Sequence, residues 1–227
     1  MLSVIIPALN AGAVLEQTLE TVAPLSRHLP CEVIVVDGGS TDRTVEIANH
    51  CGAIVINSGR GRGIQMAAGA NAAAGDWFFF LHADTRPQGK WVAAIRRFIN
   101  HPDNHNLAAA FRFRLDDTVF AARVVERAVA IRSSLLRLPY GDQGLLIGRA
   151  LYEEIGGYRR IPLMEDVDLV RRIGRRRMRI LDACALTSAV RYRSDGYLVR
   201  PLRNMVCLGL YSVGAPSRVI STFYRSN

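Results

Sequence analysis

Four short apolar runs punctuate the first part of the chain: LSVII at 2–6, EVIVV at 32–36, AIVI at 53–56 and WFFFL at 77–81. Each is continuous rather than alternating, which marks strands buried on both faces of a parallel sheet. Ala13 to Leu25 and Thr41 to His50 place apolar side chains at helical spacing between them, and Ser40, Thr41 and Asp42 supply cap residues for the second helix. This strand–helix order predicts right-handed crossovers in an open sheet, with a ligand crevice outside the carboxyl ends of the strands. After Thr85 the pattern changes. Trp91 to Asn100 predicts a helix, Ala109 to Leu115 ends in the alternating AFRFRL of a half-exposed strand, and Val119 to Leu138 predicts a long amphipathic helix. LLIG at 145–148 predicts a strand, Arg149 to Ile155 a short helix stopped by Gly156-Gly157, and Glu165 to Arg177 a further helix. With no linker, repeat or low-complexity segment, one α/β domain is expected, its two parts sharing a sheet.

Composition supports a folded core: 49% of the 227 residues are hydrophobic, which excludes disorder, collagen and coiled coil. The net charge of +9 is unevenly spread. Residues 1–90 hold six basic and eight acidic side chains, residues 91–227 twenty-three and twelve. Lys90 is the only lysine among the 29 cations, and it sits outside any phosphate-loop motif, so mechanisms that need a positioned lysine are excluded unless Lys90 supplies it. The four cysteines lie far apart with no C-x-x-C pair, so a reducing, cytoplasmic setting is expected. The start MLSVIIPALN reads as a first strand rather than a signal peptide, and the uncharged stretch Asn204 to Ser217 is shorter than the about 20 apolar residues a membrane span needs. Leu198 to Tyr224 mixes arginines with apolar residues, which suits a helix packed on the domain or on a partner chain, or one lying at a lipid surface. A peripheral membrane contact and a homodimer both stay open. No nucleic-acid-binding module occurs, and the arginines of RRIGRRRMR can be the solvated side of a helix and its exit, so no nucleic-acid partner is expected.

The candidate chemistry lies in acids placed after strands. Asp37 opens DGGSTD directly after EVIVV; it can accept hydrogen bonds from a base or ribose beside the close-approaching Gly38, or simply cap a turn. Asp84 follows WFFFL in HADT, where a carboxylate can hold a divalent cation against a diphosphate, and His82 is either a second ligand or a packed imidazole. GRGRG at 59–63 fails the dinucleotide fingerprint; Arg60 and Arg62 on this flexible backbone can fork onto phosphate or remain solvated. Glu165 and Asp166 open a helix, where the dipole favours carboxylates; they are caps, or an orienting acid and a general base. GDQG at 141–144 predicts a turn with Asp142 and Gln143 exposed on it, and by itself the segment reads as a plain turn. His101 and His105 are spaced i, i+4, but Pro102 argues for a loop rather than a helical metal face. No nucleophile elbow is present.

The ordered set VIIPALN, VIVVDGGSTDRT, GRGRGIQMAAGA, GDWFFFLHADT, GDQGLLIGRALYEEIGGY and PLMEDVDLVRR resembles the family 2 glycosyltransferases, nearest a bacterial branch with LHADT and GDQG, over roughly residues 1–195. The resemblance implies a GT-A fold, with a Rossmann-like nucleotide-binding half and a mixed central sheet flanked by helices in a single domain. It divides the chain into a donor and metal half (1–90), an acceptor half (91–195) and a carboxyl-terminal helical segment (196–227). It implies transfer of one sugar, with inversion, from a nucleotide-diphosphate sugar, a UDP-sugar before others. Pro7, Ala8 and Asn10 with Asp37 and Gly38 would hold the nucleoside, and Arg60 and Arg62 the phosphates. Asp84, the last acid of a D-x-D motif, would hold Mn²⁺ or Mg²⁺ with His82, which replaces the first acid. Asp166 would be the base beside Glu165, and Asp142 and Gln143 would face the acceptor. Arg191-Tyr192-Arg193 stands where many processive relatives carry a tryptophan motif. The acceptor is then one hydroxyl compound, and the basic surplus favours a lipid-linked or anionic one. A nucleotidyltransferase, releasing pyrophosphate from a nucleoside triphosphate, is the competing enzyme reading, and an arginine-rich binder of anionic surfaces the non-enzymatic one.

Overall fold

The computed structural model describes residues 1–135, 137–161, 163–216, 219–220 and 223–224. All four expected strands of the first part form: β1 (Leu2–Ala8), β2 (Cys31–Asp37), β3 (Ile54–Asn57) and β4 (Trp77–Phe80). They are parallel, with β1 between β2 and β4. Their continuous apolar runs divide between the two faces: Val4, Ile6 and Phe79 enter one core, Ile5, Phe78 and Phe80 the other. This is the reason the runs do not alternate. Beyond β4 the sheet becomes mixed. In chain order follow β5 (Thr85–Gln88), β6 (Ala108–Leu115), β7 (Leu145–Gly148) and β8 (Met178–Thr187), and the eight strands lie in the order β3-β2-β1-β4-β7-β6-β8-β5. β7 runs antiparallel to both β4 and β6, β6 runs parallel to β8, and β5 closes the edge antiparallel to β8.

The helices are α1 (Leu15–Val22), α2 (Thr44–His50), α3 (Arg62–Ala72), α4 (Trp91–Ile99), α5 (Phe120–Leu135), α6 (Arg149–Glu154), α7 (Glu165–Ile173), α8 (Val190–Asp195) and α9 (Val199–Ser212). Several bounds differ from the sequence expectation for local reasons. α1 ends at Val22 and continues as a 3-10 turn through Pro24. α2 starts at Thr44 rather than Thr41, because Asp42 Oδ1 accepts from Thr44 N at 3.0 Å. α7 stops at Ile173, where Gly174 at φ +83° turns the chain away, not at Arg177. Of the expected helix Val119 to Leu138, Leu136 lies outside the described residues. GRGRG at 59–63 was expected as an arginine-bearing loop, and Arg62 in fact opens α3. Its glycines read as a loop but serve contact: a Cβ on Gly69 would lie 2.4 Å from Ile5 Cγ2 and 2.9 Å from Val36 Cγ2. α9 packs through Cys207 on Leu163, Met164 and Val167.

Candidate active site

The crevice forms at the carboxyl ends of β1 and β4, where successive connections leave the sheet in opposite directions. A cavity of about 570 Å³ opens there, walled by Pro7, Ala8, Asn10, Arg60 and Arg62 on one side and His82, Asp84, Ser188 and Arg191 on the other. A smaller, more enclosed chamber of about 90 Å³ adjoins it. The chambers share Arg62, His82, Asp84, Ser188 and Arg191, and the inner one adds Tyr140, Asp142, Asp166, Arg200 and Asn204. Residues from both halves of the chain therefore meet at one junction. His101 and His105 flank a 3-10 turn, Pro102–Asn104, and line neither chamber.

Asn10 and Asp37 build the rim of the larger chamber from below. Asn10 sits at φ +50°, accepts from Thr41 N at 2.9 Å and donates its own N–H to Ser40 Oγ at 2.8 Å, tying the loop after β1 to that after β2. Asp37 pairs with Ala8 in register; its Oδ2 caps Gly39 N and Ser40 N at 3.0 and 2.9 Å, while Oδ1 is buried with no partner among the described residues. One oxygen holds the turn and the other has no partner among the described residues. Asp37 and Gly38 are one step back from the cavity wall; Gly38 packs on the Gln65 amide. Gln65 itself, on α3, donates to Ala8 O and Val36 O at 2.7 and 2.8 Å and so staples the two strand ends. A lone polar residue on the buried face of an alanine-rich helix was the sequence signal for it.

At the junction the GDQG turn closes on His82. A Cβ at Gly141 would come 2.6 Å from His82 Nε2, so only glycine permits this approach. Gly141 N donates to Asp166 Oδ2 at 2.8 Å and Val167 N to Asp166 Oδ1 at 2.7 Å, fixing the carboxylate's orientation toward the chamber. Met164 precedes the pair at φ +65°, a left-handed backbone uncommon outside glycine, held by burial against Cys207 of α9. Glu165 is turned inward at 2% exposure with Arg62 Nε 3.1 Å from its Oε1. Burial pushes the Glu165 carboxyl up and Arg62 draws it back down; the same carboxylate holds the Arg62 guanidinium firmly charged. His82 is pushed down to about 4 by burial, then by Arg62 and Arg191, so its imidazole is neutral at neutral pH. Its Nε2 has no partner among the described residues. Asp142 is pushed up to about 6, chiefly by burial, with Asp166 and Asp84 adding to the rise against Arg132 and Arg62.

Asp142 and Gln143 part company. Both were expected to be exposed and neither is: Asp142 is half-buried with its Oδ1 enclosed, and Gln143 is buried and faces away, its amide donating to Phe111 O at 2.8 Å and accepting from Ser133 Oγ at 3.0 Å. It anchors the turn that carries Asp142 and Gly141. Arg191, Thr187, Ser188, Arg200 and Asn204 were not singled out as site residues from the sequence. They reach the site through β8, α8 and α9, whose placement no local motif encodes. The Arg191 side chain makes no hydrogen bond or ion pair with the described residues, although it lines both chambers.

The model of glycosyl transferase family 2 matches residues 3–162. The chain belongs to this family. Among curated family 2 relatives, a PGL/p-HBAD biosynthesis glycosyltransferase of Mycobacterium bovis (strain BCG / Pasteur 1173P2) is 32% identical over 158 residues, 60% of this chain and 60% of that protein. A glucosyl-3-phosphoglycerate synthase of Mycobacterium tuberculosis is 34% identical over 92 residues, 37% of this chain and 28% of that one. The chain thus aligns with little more than half the length of the first of these relatives. In fold it is similar to crystalline glucosyl-3-phosphoglycerate synthase from M. tuberculosis in complex with Mn²⁺, UDP and glucosyl-3-phosphoglycerate, at TM-score 0.59, 22% identity, 83% of this chain and 70% of that one. The mannosyltransferase PcManGT from Pyrobaculum calidifontis, in complex with GDP-Man and Mn²⁺, gives TM-score 0.65 at 17% identity over 91% of this chain and 60% of that one. These likenesses establish the GT-A fold for this family 2 member.

Proposed function

We propose that the protein is an inverting glycosyltransferase that moves one sugar from a nucleotide-diphosphate sugar to an acceptor hydroxyl, with Asp166 as general base. The observation that carries this reading is the placement of Asp166, clamped by two backbone N–H groups in the chamber adjoining the larger, nucleotide-sized cavity. The nucleoside of a UDP-sugar lies along Pro7 to Asn10, with Asp37 Oδ1 accepting from the base. The diphosphate lies between Arg60, Arg62 and Arg191, whose guanidinium forks suit phosphate oxygens. The acceptor enters the inner chamber beside Asp142. Its hydroxyl oxygen attacks the anomeric carbon from the side opposite the diphosphate, the bond from that carbon to the phosphate oxygen breaks, and the hydroxyl proton passes to Asp166. One in-line displacement inverts the anomeric centre, and the nucleoside diphosphate leaves with the bond's electron pair. Glu165 holds Arg62 in place.

The donor set for a cation is sparse, since no group of three or more His, Cys, Asp or Glu side chains gathers among the described residues. That fits Mg²⁺ or Mn²⁺ held by Asp84, with the free His82 Nε2 as second donor and the remaining positions filled by diphosphate oxygens and water. When bound, the cation would neutralise charge developing on the departing diphosphate. The solved structures with UDP or GDP-Man and Mn²⁺ support a nucleotide-sugar donor and a divalent cation. All four cysteines are free, which suits a reducing compartment such as the cytoplasm. The test is Asp166→Asn: donor affinity by calorimetry stays within a few-fold, while transfer falls about 10²–10⁴-fold. Transfer at the wild-type rate in that variant removes Asp166 as the base.

A further inference from the structure

Exposed large apolar side chains are concentrated on one part of the molecule. Outside residues 119–224, Met1 and Ile54 are the only ones among the described residues. Within that stretch α9 is divided lengthwise. Arg200 and Asn204 face the inner chamber and Cys207 is fully buried, whereas Leu198, Leu202, Met205 and Val213 are 81, 61, 67 and 81% exposed. At 100° per residue these four, with Gly209, fall on a single side of the helix, and the stripe contains no charge. A second stripe of the same kind runs along α5, where Phe120, Val124, Ile131 and Leu135 are exposed with Arg127 among them. Ala122 and Val125 of α5 share a small apolar core with Ala189 and Tyr192 at the start of α8, and α8 in turn packs on α9.

We propose that the outer face of α9, together with the similar stripe of α5, is a docking surface for the surface of an anionic lipid bilayer. Soluble monomers rarely expose apolar patches this continuous, and such a face calls for a cover. Charge selects the cover: residues 91–227 carry twenty-three basic against twelve acidic side chains, and Arg127 makes no ion pair with the described residues. An uncharged apolar stripe on the basic part of the chain complements an apolar interior under anionic headgroups. α9 is 14 residues long, about 21 Å, too short to cross a bilayer but well suited to lie in its interface. No helix among the described residues is long and apolar enough to span.

Flotation of the full chain with vesicles tests this independently of catalysis. The wild type is expected to float with phosphatidylcholine vesicles containing about a third phosphatidylglycerol and to be released by salt. Leu202→Glu and Met205→Glu, both at exposed positions outside the catalytic machinery, should each weaken binding about tenfold while leaving thermal stability and donor hydrolysis unchanged. Arg127→Glu should weaken it by about fivefold or more, and only on anionic vesicles. The control Ile54→Glu should float as wild type. Absence of flotation at low salt overturns the proposal, as does equal flotation of the double glutamate variant. A dimer by light scattering that Met205→Glu splits, with no vesicle binding by either form, instead assigns the face to a second copy. Donor binding is read separately, so failure here leaves the transferase reading standing.

Discussion

Asp142 is a carboxyl group that the fold tolerates at a cost, and that cost can be measured. Its Oδ1 is buried without a partner among the described residues, and burial, then Asp166 and Asp84, raise the group from 3.8 to about 6 against the pull of Arg132 and Arg62. A rise of that size corresponds to about 3 kcal/mol at about 1.4 kcal/mol per pH unit, and partial solvent access reduces it to about 1–3 kcal/mol. The sign follows from the raised value. Below about pH 4 the group is protonated in folded and unfolded chains alike and costs nothing. As pH rises toward about 6 the unfolded chain releases its proton while the folded chain retains it, so stability falls, and above that the full cost is present. Asp142→Asn removes the titration and keeps the shape. Thermal melts with EDTA present should show the variant about 3–9 °C more stable than wild type at about pH 7.5, the gain vanishing near about pH 4. Transfer to the acceptor should fall in the same variant, the usual exchange of stability for function. An equal shift at both pH values, or a destabilised variant at the higher pH, would refute the electrostatic account of this site.

Three further outcomes follow from other parts of the structure. Gly69→Ala forces a methyl group to 2.4 Å from Ile5 Cγ2, so α3 must move off the sheet; a loss of about 1–3 kcal/mol by urea unfolding is expected, with weakened donor binding because Gln65 moves with the helix. Arg172 donates to Ile155 O and Gly157 O at 2.5 and 2.7 Å and pairs at 2.5 Å with Asp168, whose side chain is only 5% exposed, so Arg172→Ala leaves a buried carboxylate to Arg159 and Tyr211 and should cost about 2–4 kcal/mol in the same assay. EDTA, or Asp84→Ala, should suppress transfer, and Asp84→Ala should also shrink the Asp142→Asn melting difference, because the Asp84 carboxylate contributes to the rise at Asp142; undiminished turnover after chelation would exclude cation assistance by Asp84.

The sequence by itself determined the parallel first half of the sheet. β1, β2 and β4 are continuous apolar runs because both sheet faces are covered, and the acids that end β2 and follow β4 could be named from position alone. The Glu165-Asp166 pair was legible for the same reason, since a helix start is written in its first turn. What the tertiary structure decided is how far each side chain is from its partners. α3 was hidden because glycines that allow close packing look locally like glycines that make a loop. β8 was hidden because its inward-facing residues change phase, from Met178 to Ala183, Ala185 and Thr187, at the register irregularity against Ala110 and Arg112 of β6. A period of two that shifts midway leaves no alternation to read. Without β8 there is no α8 or α9, hence no Arg191 in the crevice and no wall for the inner chamber. Gln143 and Asp142 are adjacent in sequence yet face opposite ways, because the 3-10 turn that carries them is set by Phe111 O on one side and His82 on the other. Local propensity fixes which residues form a strand or a helix start; long-range hydrogen bonds and packing fix which of them share a cavity.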